Sequence, residues 1–349
     1  MDSKQPALRD VSVDLVKAFA IIGVMVIHAA AGPASSTAVG SAGWYATLFW
    51  GSVSRASVPL FLMCTGALFL RPEKEISGKK LWLHYILHIA VALFFWASLY
   101  KLYHLVMARI LSPATLVSSV KELVAFQHED HLYYLHLVLL IYALMPLLKL
   151  LTQYGSKKQL EYLLAVWFVL AVALPTVKGF WPFTLLSGVP YQWMMNMAYG
   201  SMGYVLLGYY LRTYSLPRWT GWVLTIAGLG MVFGLTVGFS LHAGALDSRF
   251  WEGMSVGVCL MGTGIFSLFS SVKATGPKLT AAARFLSQGS FCVYLCHILI
   301  RNLLQSRGLT GSWPNPFVGV PLLAAATLAC SLVAYLVLSR IPVVRRWLI

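Results

Sequence analysis

Long apolar runs, separated by short and mostly basic polar intervals, repeat along the whole chain. A bilayer core of about 30 Å takes roughly 20 residues of helix to cross. Ten runs have that reach: residues 13–32, 45–70, 82–104, 132–151, 160–178, 191–211, 219–239, 251–270, 285–303 and 317–338. Lone strands would leave backbone N–H and C=O groups unpaired in lipid, so the runs predict helices. The pattern predicts an all-α polytopic membrane bundle of about ten transmembrane helices, a single domain over 1–349. The longest interval, near 105–131, holds Lys121, Glu122, Glu129 and Asp130. It has room for a short amphipathic helix lying along the membrane surface.

Composition removes the alternatives. Hydrophobic residues make up 59% and charged residues 11%, with a mean hydropathy of +0.75. A soluble domain carries about a quarter charged residues to keep its surface wet. The 12 Trp, 17 Tyr and 18 Phe exclude a disordered chain. Cys64, Cys259, Cys292, Cys296 and Cys330 lie scattered in apolar runs and read as small buried hydrophobes.

The net charge of +15 would suit nucleic acid. No basic tail or arm exists, however, and the cations sit in the gaps between runs, so nucleic acid is not an expected partner. With the N-terminus inside, seventeen Lys and Arg fall on the inner connections, among them Lys4, Arg9, Lys74, Lys149 and Lys273. Seven fall outside: Lys101, Arg109, Lys121, Lys178, Arg249, Arg301 and Arg307. This bias predicts both termini in the cytoplasm and an even number of spans. Lys4, Arg9 and Lys17 precede an apolar stretch that ends in Ala29-Ala30-Ala31-Gly32, which also fits a signal peptide. The polar residues within the run favour a retained span.

An ionisable group inside a span is costly and usually faces the bundle interior or a wet cavity. Asp14 and Lys17 are three apart on one helix face, where an interfacial ion pair is the plain reading. His28 lies eleven residues beyond Lys17, on the same stripe and about 16 Å further along the axis. Arg55 stands in the second run, where it either braces the bundle or binds an anion, and Pro59 predicts a kink beside it. His131 and Tyr133 open the fourth run behind Glu129 and Asp130, Tyr133 and Tyr134 fit an interfacial belt, and His136 lies five residues deeper than His131. In the ninth run, Ser290, Tyr294 and His297 share a face, with His297 at a depth like that of His28. Asp247, Arg249 and Glu252 rim the outer end of the eighth run. His84 and His88, four apart near the inner end of the third, are weaker candidates, and His104 and His128 read as outer-loop residues. No HExxH or zinc-type spacing occurs, so no metal site is expected.

Four of these segments, in order, carry a resemblance. "VDLVKAFAIIGVMVIHA" resembles the first helix of the acyltransferase type 3 family, integral-membrane enzymes that decorate bacterial surface polysaccharides. Lys17 takes the place of that family's Arg and His28 that of its His. "SRASVPLFLMCTGALFL" resembles the second-helix signature, with Cys64-Thr65-Gly66 where Ser-Gly is usual. "HLYYLHLVLLIYALMPLL" is similar to the segment with His-x-Trp-Phe-Leu and a later Pro, and "QGSFCVYLCH" to the late segment ending in His. Gly78-Lys79-Lys80-Leu81 replaces an Arg-x-x-Arg pair, and no hydrolase-like domain is fused.

The resemblance implies a multi-pass O-acyltransferase of the bacterial inner membrane. It would take acetyl-CoA or another acyl-CoA as donor substrate, with no bound cofactor. The acceptor would be a sugar, a glycan or a lipid-linked saccharide. Lys79 and Lys80 would attract the CoA headgroup, with Asp14 and Lys17 at the entry. His28 would act as base, Arg55 would stabilise the oxyanion, and His297 would orient the acceptor or serve as a second base. His131, Tyr133, Ser290, Tyr294 and Glu252 would form the acceptor side. Without the resemblance, a transporter or flippase of a lipid-linked saccharide or small solute fits buried charges equally well.

Overall fold

The computed structural model describes residues 10–75, 77–186, 188–272 and 275–349. Lys4, Arg9 and Lys273, counted above with the inner cations, lie outside the described residues. The described chain is helical throughout: α1 Val11–Ser36, α2 Ala42–Val53, α3 Ser57–Phe69, α4 Gly78–Met107, α5 Pro113–Val124, α6 Tyr133–Tyr154, α7 Lys157–Val177, α8 Met197–Thr213, α9 Arg218–Ala243, α10 Val256–Ser270, α11 Pro277–Ser306, α12 Pro316–Leu338 and α13 Pro342–Trp347. Among the described residues, nine segments are long and apolar enough to cross a membrane, with α2 and α3 together forming one of them. The remaining expected span, 191–211, forms the 17-residue α8, which packs on α3.

The first span lies at the centre, against α2, α3, α11 and α12. Its N-cap is Asp10, whose Oδ1 accepts from the Ser12 backbone N–H at 3.1 Å. Asp10 Oδ2 accepts from Arg71 at 2.7 Å and Arg212 at 2.6 Å, tying the start of α1 to the ends of α3 and α8. Burial pushes the Asp10 carboxyl up, but the Ser12 hydrogen bond and the Arg212 and Arg71 guanidiniums outweigh it. They hold this carboxyl below its ordinary value. Lys149, buried on α6, donates to the carbonyls of Arg71 and Lys74 at the same end.

The second span is broken. α2 ends at Val53 and α3 begins at Ser57, so the interruption falls around Arg55 rather than at Pro59. Pro59 sits in the first turn of α3, where a missing N–H costs nothing. Irregular backbone at this depth is tolerated where it borders a cavity, and it turns Arg55 inward. The expected surface helix is α5, capped by Ser112 and Thr115, with Leu116, Val117, Val120 and Val124 exposed. Four cysteines are buried as expected; Cys330 is exposed, on the outward side of α12.

Close helix contacts depend on glycine. A Cβ on Gly66 would fall 1.7 Å from the Val205 carbonyl oxygen, and one on Gly208 2.1 Å from that of Met63. These contacts pack α3 against α8 at backbone distance. Gly66→Ala is expected to destabilise the protein by about 1–3 kcal/mol or more. Gly32→Ala, where nothing lies within 4 Å, should be near neutral. Thermal loss of monodisperse protein in detergent compares the two.

Candidate active site

A cavity of about 630 Å³ runs through the bundle. Lys17, His88 and Gln288 line one end, and Asp130, Tyr133, Trp251 and Gly253 line the other. His28, Arg55, His131, Ser290 and Tyr294 face into it between these limits. Five helices (α1, α3, α4, α6 and α11) converge here with the Arg55 turn.

Three imidazoles form the polar centre. Ring centroids of His28 and His297 are 4.8 Å apart, those of His131 and His297 5.3 Å, and those of His28 and His131 6.4 Å. His297 is fully buried behind the cavity wall. Its Nδ1 lies 2.6 Å from the Tyr294 carbonyl oxygen. A carbonyl only accepts, so Nδ1 carries the proton and Nε2 presents a lone pair. Nε2 of His297 and of His131 are both buried without a partner among the described residues. The Tyr294 hydroxyl donates to the His131 carbonyl, and the Tyr100 hydroxyl to that of Leu295 at 2.9 Å. These bonds hold α4, the start of α6 and α11 in register around the rings. Among the described residues, no group of three His, Cys, Asp or Glu is disposed to hold a metal ion.

Arg55 lies 4.0 Å above the Trp251 ring, and its buried Nε has no partner among the described residues. Tyr133 lines the same cavity as Arg55, and Glu252 follows Trp251 in the chain. Trp251 is fixed in turn by its Nε1–H to Ser52 Oγ, 3.0 Å. The platform therefore holds the guanidinium in place at the cavity wall, with its Nε–H uncommitted among the described residues.

The model of the acyltransferase domain family matches residues 10–336. The chain belongs to the acyltransferase type 3 family. Comparison with curated proteins and with solved structures finds no match. Membership implies acyl transfer at a membrane, and the match takes in every residue lining the cavity except Ile349.

Of the residues singled out in the sequence, His28, His131 and His297 meet, and Arg55, Tyr133, Ser290, Tyr294 and Lys17 share the same cavity. Asp14 is buried on α1 and does not line it. Lys79 and Lys80 are exposed on the first turn of α4, also outside it. Glu252 borders a second cavity beside the first. His136 turns away and stacks on His128 at 5.2 Å. His104, expected in an outer loop, lies instead in the last turn of α4, where it meets Glu129 at 2.9 Å.

Two residues were not singled out, Arg301 and Lys74, and a third, His88, stood only as a weaker candidate. Arg301, counted with the outer cations, is half-buried and donates from Nη1 to the His28 carbonyl at 3.2 Å. Its signal was present, since it follows His297 by four residues on α11. His88 lines the cavity while His84 is exposed, because a π-helical turn over Leu81–Ile86 precedes α4's regular helix and separates a pair four residues apart. Lys74 lies 3.7 Å above the Phe69 ring, where the charges of Lys80, Arg71, Lys149 and Lys17 converge on it.

Proposed function

We propose that the chain transfers an acyl group, acetyl in the first instance, from acyl-CoA to a hydroxyl of a surface polysaccharide or its lipid-linked precursor. The observation that carries this reading is one continuous cavity with a cationic end at Lys17, His28 between, and a polar and aromatic end at Tyr133 and Trp251. Donor and acceptor approach from opposite ends and meet at His28. Counting α8 as a tenth span and taking the more basic connections as cytoplasmic puts the donor end inside a bacterial inner membrane, with both termini on that side.

The donor's phosphates meet the cations around Lys74, and its flexible arm covers the roughly 16 Å from Lys17 to His28. His28 takes the proton of the acceptor hydroxyl as its oxygen attacks the thioester carbonyl carbon. Arg55 stabilises the negative oxygen that forms. The tetrahedral adduct collapses, the C–S bond breaks, and His28 returns the proton to the departing sulfur. His297 Nε2 accepts a hydrogen bond from the His28 ring while His28 holds that proton. Arg301, bonded to the His28 backbone, positions the ring.

Labelled acetyl-CoA supplied to membranes containing the protein tests this reading: an acetyl ester should appear on a glycan or glycolipid by mass. Acceptor recovered on the far side without an ester would favour a translocator instead.

The donor end also predicts a pH dependence. Burial and the neighbouring Lys80, Arg71, Lys149 and Lys17 charges lower Lys74 to about 8. Its ammonium is thus present below pH 8 and lost above it. The KM for acyl-CoA is expected to rise about five-fold between pH 7 and 9, on the order of 1 kcal/mol for one charge contact. In Lys74→Arg, whose guanidinium stays charged, KM should be flat over that range. An equal rise in both proteins would remove Lys74 from the donor site.

A further inference from the structure

A second cavity of about 530 Å³ adjoins the first. The wall between them is the segment 251–254: Trp251 and Gly253 face the reaction cavity, and Glu252 and Met254 face the other. Tyr204 pins this wall by donating to the Gly253 carbonyl at 2.6 Å. Glu252 thus lines the second cavity while its chain neighbours Trp251 and Gly253 line the first, so a carboxylate stands in the wall between the two spaces.

The lining of the second cavity is of an unusual kind. Met194, Met195, Met197 and Met254 give it a soft, adaptable apolar surface. Lys178 brings an ammonium 5.6 Å from the Tyr191 ring and makes no ion pair with a carboxylate among the described residues. Arg249, by contrast, is neutralised by Asp247 through Nε at 2.9 and 3.0 Å. The segment that closes the cavity turns Trp181, Leu185 and Trp193 outward, 79%, 71% and 60% exposed. Such a row belongs in the membrane interface. The cavity therefore lies between the bundle and an interfacial aromatic strip, with a methionine floor, Glu252 on its lining, and one lysine that makes no carboxylate ion pair among the described residues.

We infer that this cavity docks the acceptor as an amphiphile, a saccharide carried on a polyprenyl phosphate. Its phosphate sits at Lys178, its hydrocarbon lies along the methionines, and its sugar passes Glu252 into the reaction cavity. The inference rests on the acyl-transfer reading for what happens to the sugar, but docking itself can be measured without turnover.

The probe is a polyprenyl phosphate bearing a photoreactive group in its chain. It is added to the full-length protein in phosphatidylethanolamine vesicles. Crosslinks are expected on peptides 188–197 and 248–255. Excess polyprenyl phosphate should compete them away, whereas polyprenol and phosphatidylglycerol should not. Lys178→Glu should weaken labelling at least about ten-fold, the effect of about 1.4 kcal/mol. Equal competition by polyprenol would remove the phosphate contact. Equal competition by phosphatidylglycerol would show ordinary boundary lipid, and crosslinks spread over all lipid-facing helices would remove the site. If Lys178→Glu does not fold, the competition pattern of the unaltered protein still decides. Labelling with no ester formed in the transfer assay would keep the docking site and overturn the acyltransferase reading; ester formation with no labelling would do the reverse.

Discussion

His28→Ala should lower acyl transfer by about 10²- to 10⁴-fold, the range a positioned general base contributes. The ring lines the cavity midway between its two ends and packs 4.8 Å from His297 and 6.4 Å from His131. No other imidazole lies both on the cavity wall and on the Lys17 stripe of α1. His131 lines the cavity from α6's approach, and His297 is buried behind it. The loss should appear mainly in kcat, because the proton is taken only as the acceptor attacks. Yield and monodispersity in detergent should match the unaltered protein, since the side chain is half-buried and its backbone carbonyl still receives Arg301. Label transfer from acetyl-CoA to the acceptor measures the effect. Unchanged transfer would remove His28 as the base, with His131 the next to test.

Arg55→Ala carries the second large effect, an expected fall in kcat of about 10²- to 10³-fold with KM for the donor little altered. A guanidinium held at 4.0 Å over Trp251 costs no reorganisation when the oxyanion forms. Arg55→Lys restores the charge but neither the planar fork nor the full stacking on the indole. It should therefore recover only part of the rate. A rise in KM with unchanged kcat would show instead that Arg55 binds a ground-state group. The two outcomes separate in steady-state kinetics at saturating donor.

The histidines and arginine were legible for one reason: polar groups in lipid-length apolar runs stand out against their surroundings. The helix break was not, because proline is the usual breaker in a sequence. Here Pro59 falls in a first turn and the interruption comes before it. Arg301 was misplaced because a cation near the end of a run looks like a loop residue, although its spacing from His297 marked the shared face. Lys74 was hidden among other inner cations. Only the fold of residues 70–75 against α6 shows that Lys149 caps this turn and that Lys80, Arg71 and Lys17 crowd the Lys74 ammonium. The π-helical turn that parts His84 from His88 leaves no signal in hydrophobic spacing.

By itself, then, the sequence determined the solvent, the helices and the candidate chemistry. Bilayer thickness sets a length that few other patterns meet, and a buried charge in such a run costs too much to be incidental. Family membership follows from the same local signatures. Tertiary structure alone decided which polar groups share a cavity. Helices as far apart in the chain as α1 and α11 become neighbours through side-chain packing, and α3 and α8 through glycine contacts, which no local period encodes. That packing also set the His297 ring 4.8 Å from that of His28, stacked His136 on His128 rather than beside His131, and put Glu252 on the lining of the second cavity. Sequence spacing fixes position along a helix, but the rotation and partner of that helix are set by contacts distant in the chain.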